Sequence, residues 1–217
     1  MNLKNKRILI TAGPTWVPID SVRVISNIAT GETGILLANK LVRRGARVTL
    51  FLGPVNPCCL DKRVRLINFK FFDQLRNGLK KELRAKIYDI VIHNAAVSDY
   101  KPQVKHTRKI KSGRKKLKIT LVPTPKIIDS IRKSGRSLFL VGFKFEPDAE
   151  KNRLINKARA LKKRSALDLA VANTISKGQY RAYIIGKSRV YGPLPDKGSL
   201  VNRLVKAIGE NYARIKP

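Results

Sequence analysis

Between residues 7 and 96, short apolar runs alternate with amphipathic segments, and that rhythm admits few folds. RILITAG (7–13) carries Ile8, Leu9 and Ile10 and ends in a glycine. GETGILLANKLVRRG (31–45) places Ile35, Ala38, Leu41 and Val42 on one helical face, with Gly45 where a C-terminal cap is expected. ARVTLFLG (46–53) and VRLINFK (64–70) read as strands. FDQLRNGLKKELRAKI (72–87) reads as a helix with Leu75, Leu79 and Leu83 in register. YDIVIHNAA (88–96) is apolar enough for a strand buried on both faces. Strand–helix–strand–helix–strand predicts an α/β fold with a doubly wound, mostly parallel sheet.

Beyond residue 96 the rhythm changes. KIKSGRKKLKITLV (109–122) reads as a basic hairpin flap turning near Ser112 and Gly113. A short helix (124–135), a strand (137–143) and a long basic helix (148–164) follow. Strand-like pieces at 166–173, 180–186 and 188–192 precede a closing amphipathic helix (198–215). Neither a repeat nor a linker interrupts the chain, so residues 1–217 are expected to form one domain.

No apolar run approaches the roughly 20 residues of a membrane span. The basic residues ahead of Ile8 imitate a signal peptide, but the apolar stretch is short and lacks a cleavage site, so a cytoplasmic protein is expected. Cys58 and Cys59 are adjacent and without further ligands at zinc spacing, as ordinary thiols in a reducing compartment would be. The 47 Lys and Arg against 14 Asp and Glu give a net charge of +33. Such a field favours anionic partners, phosphorylated small molecules or nucleic acid, without choosing between them. Residues 101–118 and 151–164 are lysine- and arginine-rich and hold no acid.

Ligands of open α/β sheets bind beyond the carboxyl ends of the strands. Three loops fall there: a long detour (13–30) between the first strand and its helix, AAVSDYKPQVKHTRKIK (95–111), and GFKFE (142–146). In the detour, Arg23 suits a phosphate or carboxylate, and the Asn27 amide both donates and accepts. Each also has a plain reading, as an ion-pair partner and a cap. Asp99 can reach a ribose, a base or a metal, or else closes a turn. Lys109 sits where a flap could close over a triphosphate, or belongs to a solvated charge run. His93 and His106 have no obvious partner. A G-x-G-x-x-G fingerprint is absent. Tyr183 and Lys187 match Y-x-x-x-K, the pair of short-chain reductases, but RAYIIGKS (181–188) reads as a strand, which separates them.

ITAGPTWVPIDSVRVISNIATGETG, DIVIHNAAVSDYKP, RKIKSG, LVGFKFE and LDLAVAN, in this order and spacing, resemble phosphopantothenate–cysteine ligases from about Lys6 through Asn173. The resemblance implies a Rossmann-like fold. It also implies joining of 4′-phosphopantothenate to L-cysteine through an acyl-nucleotide, with CTP or ATP as cosubstrate and Mg²⁺. It assigns Asn27 and Arg23 to the pantothenoyl intermediate, with Lys109 as the flap lysine. It assigns the nucleotide to Gly13, Ala96, Asp99, Lys109, Phe143, Lys157 and the loop Pro123, Thr124, Pro125, Lys126. Lys162 or Lys163 is the nearest match to a further nucleotide lysine. The resemblance implies a homodimer through sheet and flap contacts, and, since Met1 falls just before the first strand, a separate phosphopantothenoylcysteine decarboxylase acting downstream is expected.

Departures from the pattern of bacterial relatives leave CTP against ATP open. Ala29-Thr30-Gly31-Glu32 stands for Ser-Ser-Gly-Lys, Pro-Thr-Pro-Lys for Lys-Asn-Pro-Asp, and GFKFE for Gly-Phe-Ala-Ala-Glu. The alternatives are an NAD(P)-dependent short-chain reductase and a basic nucleic-acid-binding protein without catalysis. The second is weakened by the scarcity of aromatics beside the basic runs. The ligase reading permits a nucleic-acid contact without requiring one.

Overall fold

A computed structural model describes residues 3–113, 115–135 and 137–215, with side chains to 213. Met1 therefore lies outside the described residues, as does Arg114 in the expected flap. An eight-stranded sheet runs through the molecule in the order β12-β11-β10-β9-β6-β1-β4-β5. Six strands are parallel: β1 (Arg7–Ala12), β4 (Arg47–Leu52), β5 (Arg65–Asn68), β6 (Ile90–His93), β9 (Phe139–Phe145) and β10 (Leu169–Ser176). The hairpin of β11 (Gln179–Ile185) and β12 (Val190–Leu194) adds two antiparallel strands at one edge.

Alternation along β1 explains why helices cover both faces. Ile8, Ile10 and Ala12 point to the side packed by α1 (Glu32–Arg43) and α5 (Lys197–Ile215). Leu9 points to the side packed by α2 (Phe72–Ala85), α3 (Ile127–Ser134) and α4 (Lys151–Arg164). Ile8, Leu9 and Ile10 are fully buried, worth roughly 1.5–3 kcal/mol each. Helix α1 lies so close to β1 that a Cβ on Gly34 would stand 2.2 Å from the Cβ of Ala12. Gly31 caps this helix with φ +71°, a conformation costly for any residue with a side chain. At the other end, Gly45 N–H donates to Val42 O and Ala46 N–H to Leu41 O, which closes the helix as its glycine predicts.

The detour is an ordered hairpin, β2 (Trp16–Pro18) against β3 (Val24–Ser26). It is stitched to the segment after β6 by the bonds Ala96 N–H to Gly13 O and Thr15 N–H to Ala96 O. The expected strands flanking Ser112 and Gly113 are not seen. Pairing joins instead β7 (Tyr100–Pro102) to β8 (Leu121–Pro123), at the two roots of the basic segment. Between these roots the described residues of 103–120 form a loop: Leu117 and Ile119 alternate with polar residues, but they stay exposed with no strand facing them to pair.

Candidate functional site

From β1 the chain first adds β4 and β5 on one side, then β6, β9 and β10 on the other. This reversal opens a crevice between β1 and β6 at their carboxyl ends, where sheets of this class bind ligands. Two adjoining hollows occupy it. The first, of 450 Å³, takes Gly13, Asn27, Ala96 and the stretch 29–33 from the detour side, and Asn94 and Asn173 from the strand ends. The second, of 580 Å³, takes Asp99, Thr124, Pro125, Lys126 and, from α4, Lys157 and Arg164. Phe143 and Lys144 line both.

The first hollow carries amides and hydroxyls together with two charged side chains, Glu32 and Lys144. Asn27 donates from Nδ2 to Ala96 O at 3.1 Å, which fixes the amide and leaves Oδ1 without a protein partner among the described residues. The second hollow is polar through charge. Lys126 Nζ stands 2.6 Å from Asp99 Oδ1 on its exposed rim. Glu146 is clamped between Lys144, at 2.8 Å, and Lys157. The two ammonium groups, Lys144 foremost, hold its carboxyl below the usual carboxylate range. The carboxylates here are thus already balanced by lysines, while Arg164 adds positive charge.

His93 ends β6 beneath the second hollow. Burial depresses its pKa to about 4, so the ring is neutral near pH 7. Its Nδ1 lies 2.8 Å from Thr11 Oγ1, across the parallel pair that sets Thr11 opposite His93. The Thr11 oxygen also accepts the Ala95 N–H.

Of the residues expected at the site, Gly13, Asn27, Ala96, Asp99, Thr124, Pro125, Lys126, Phe143 and Lys157 converge on these two hollows. Four do not line them. Arg23 pairs with Asp20 at 2.6 Å and reaches Ile110 O at 3.3 Å, tying the β2–β3 hairpin to the basic loop. Lys109 is the exposed neighbour of that tethered Ile110, and Pro123 belongs to β8. Lys162 opens into a separate cavity, because a helix that aims Lys157 and Arg164 one way turns position 162 another. The spacing from Lys157 to Arg164, two helical turns, was the signal for Arg164. Asn173 closes a strand motif named for its order in the chain, and its place in the first hollow follows from the sheet order. His93 and Asn94 lie within the motif DIVIHNAAVSDYKP, but nothing in it assigned either of them a role.

Asp20 is the residue the detour most depends on. It is 3% exposed and accepts the backbone N–H groups of Val22, Arg23 and Ile110, besides the Arg23 guanidinium. Burial pushes its pKa up, but these donors and the Arg23 charge outweigh it and bring the carboxyl down to about 2.

Comparison with known proteins places the chain. Residues 3–208 match the family DNA/pantothenate metabolism flavoprotein C-terminal domain. The coenzyme A biosynthesis bifunctional protein CoaBC of Thermococcus kodakarensis is 38% identical over 175 residues, covering 80% of this chain and 42% of that protein. This chain spans about half the length of the curated relatives it matches. A crystal structure of the DNA/pantothenate metabolism flavoprotein from Streptococcus pneumoniae superposes with a TM-score of 0.84 at 26% identity, covering 94% of this chain and 99% of that one. The C-terminal domain of a CoaBC protein superposes with a TM-score of 0.77 at 26% identity, covering 97% of each chain.

Proposed function

The chain belongs to the family of the DNA/pantothenate metabolism flavoprotein C-terminal domain, and from that premise we propose that it is a phosphopantothenate–cysteine ligase of coenzyme A biosynthesis. The observation that carries the reading is the pair of adjoining hollows, one richer in amides and hydroxyls and the other in cations, with the carboxylates of Asp99 and Glu146 among them. An acyl-nucleotide needs both halves. In the first step a carboxylate oxygen of 4′-phosphopantothenate attacks the α-phosphorus of CTP or ATP, and the bond to pyrophosphate breaks. In the second, the cysteine nitrogen attacks the acyl carbon and the nucleoside monophosphate leaves. The nitrogen loses a proton as phosphopantothenoylcysteine forms.

Both anions must approach despite like charge, which calls for preorganised cations. Lys126, Lys144, Lys157 and Arg164 line the hollow we assign to the nucleotide, and Phe143 lies where the two hollows adjoin. Asn27 is assigned to the pantothenoyl group, with its free Oδ1 as acceptor. Lys109 would be delivered by the basic loop, which is fixed to Asp20 at Ile110, and Arg23 acts from the same joint. Mg²⁺ enters as counter-ion of the nucleotide. Among the described residues no three His, Cys, Asp or Glu gather, and Glu146 is held by two lysines. Asp99, exposed at the rim and paired with the single lysine Lys126, is the carboxylate that would exchange that partner for the ion beside its phosphate ligands.

The enzyme is proposed to work in the cytoplasm as a homodimer, ahead of a decarboxylation step that consumes its product. No helix among the described residues is long and apolar enough to cross a membrane. The reductase reading loses its pair: Tyr183 is buried in β11 and Lys187 stands in the exposed turn beyond it.

The test supplies 4′-phosphopantothenate, cysteine and Mg²⁺ with CTP or ATP in separate reactions, following pyrophosphate and identifying products by mass. Phosphopantothenoylcysteine with one nucleotide is the expected result and names the cosubstrate. No product with either, from folded protein, overturns the reading.

A further inference from the structure

A cavity of 680 Å³ opens at the opposite end of the sheet, beside the start of β10. Three separate elements bring cations to it: Lys162 from α4, Lys187 and Arg189 from the turn between β11 and β12, and Arg203 and Lys206 from α5. The acids nearby are already engaged. Asp168 accepts from Arg132 at 2.9 Å and from the Leu140 N–H at 2.7 Å. Glu210 accepts from Arg203 at 3.2 Å, which helps hold its carboxyl below the usual range. The Arg203 guanidinium also lies 3.8 Å from the Tyr191 ring centre, a cation–π contact that helps hold it on the wall. Lys162, Lys187 and Arg189 make no ion pair among the described residues.

We propose that this cavity is a second ligand site, built for a small molecule carrying two or more phosphate groups. Like charges gathered from three elements around one concavity repel each other until an anion enters, and the concavity focuses their field. One phosphate would leave most of that charge unmatched, whereas a polyphosphate spans cations on facing walls. The volume falls within the roughly 300–1,000 Å³ of small-molecule sites. The walls are a hairpin and two helices rather than long loops, so the arrangement exists before the ligand arrives. The site also accounts for Lys162, which the candidate active site leaves unused. It does not rest on the ligase reading, and its failure would leave the catalytic assay untouched.

The probe is inorganic tripolyphosphate, titrated calorimetrically into the full chain. Lys187→Glu with Arg189→Glu changes two exposed turn residues, and Lys162→Gln changes the facing wall. Both variants are expected to weaken one tripolyphosphate site about tenfold or more, with pyrophosphate release by the Lys187→Glu, Arg189→Glu variant unchanged. Lys126→Ala, in the other hollow, is expected to leave this site intact. Equal affinity in wild type and both cavity variants overturns the proposal. A single-stranded RNA oligonucleotide supplies the second arm. If the variants lose RNA but keep tripolyphosphate, the cavity is part of a nucleic-acid surface and the small-molecule site is refuted.

Discussion

Asn27 illustrates how little of a residue's work its type reveals. An exposed asparagine in a detour can cap a turn, but only the bond to Ala96 O shows its amide fixed at the edge of the first hollow. Replacing it with aspartate keeps the shape and sets a carboxylate against a carbonyl oxygen. In Asn27→Asp, acyl-nucleotide formation should survive while cysteine transfer slows, on the order of 10²-fold as for loss of one oriented polar group. Quenched-flow analysis should then find acyl-nucleotide accumulating; unchanged rates in both half-reactions would remove Asn27 from the mechanism. His93 makes a different point. Its partner Thr11 is 82 positions away, so sequence spacing held no hint of the contact. The ring is neutral in the fold down to about pH 4, whereas an unfolded histidine protonates near 6.5. Below pH 6.5 the unfolded chain therefore binds the extra proton, and stability falls as pH drops from 6.5 towards 4. The full loss is about 3 kcal/mol. Urea midpoints at pH 7 and pH 4.5 should differ less in His93→Gln than in the wild type; an identical difference would refute this origin of acid sensitivity.

Among elements, the parallel strands and their helices were legible because apolar periodicity is a local signal. The two small hairpins were not. Strands of three residues carry too few side chains to show alternation, and proline sits in three of the four. What joins them is Asp20, which accepts from its own turn and from Ile110, 90 positions on. Cutting that joint should loosen the basic loop without melting the sheet. Asp20→Ala is expected to expose the lysines and arginines between 105 and 111 to trypsin several-fold faster, since a tethered loop opens less often than a free one. The far-ultraviolet circular dichroism should stay constant. If cleavage is no faster, the Ile110 bond is not what holds the loop. Helix α4 shows the same limit of sequence in another form. That it is a helix was plain, but which of its many cations faced the crevice depended on how the helix seats against β9 and β10.

The whole molecule presents an uneven surface. Eight of the twelve exposed large apolar side chains among the described residues lie between 22 and 28 or between 100 and 121, on the two hairpins and their basic loop. A second copy of the chain would cover them, in keeping with the proposed homodimer. Two chains of +33 repel as they meet, and salt screens that repulsion. Dimerisation should therefore tighten as salt is added, the opposite of nucleic-acid binding, which salt weakens. Val22→Asp with Leu121→Asp should reduce the mass by light scattering from twice the chain mass of 24.4 kDa to that of one chain. A wild type that stays monomeric at every salt concentration would refute the arrangement. The placement of β1 has another consequence, for the time before the fold exists. This strand is made ahead of both its neighbours yet ends between them, and β6 arrives some 80 residues later. At the usual pace of synthesis, about 5–20 residues per second, Ile8, Leu9 and Ile10 wait roughly 4–16 s for that neighbour. Lys4, Lys6 and Arg7 stand immediately before them. Charge beside a sticky strand discourages nascent chains from pairing with one another. These basic residues thus guard the middle of the sheet during the seconds when it is still an edge.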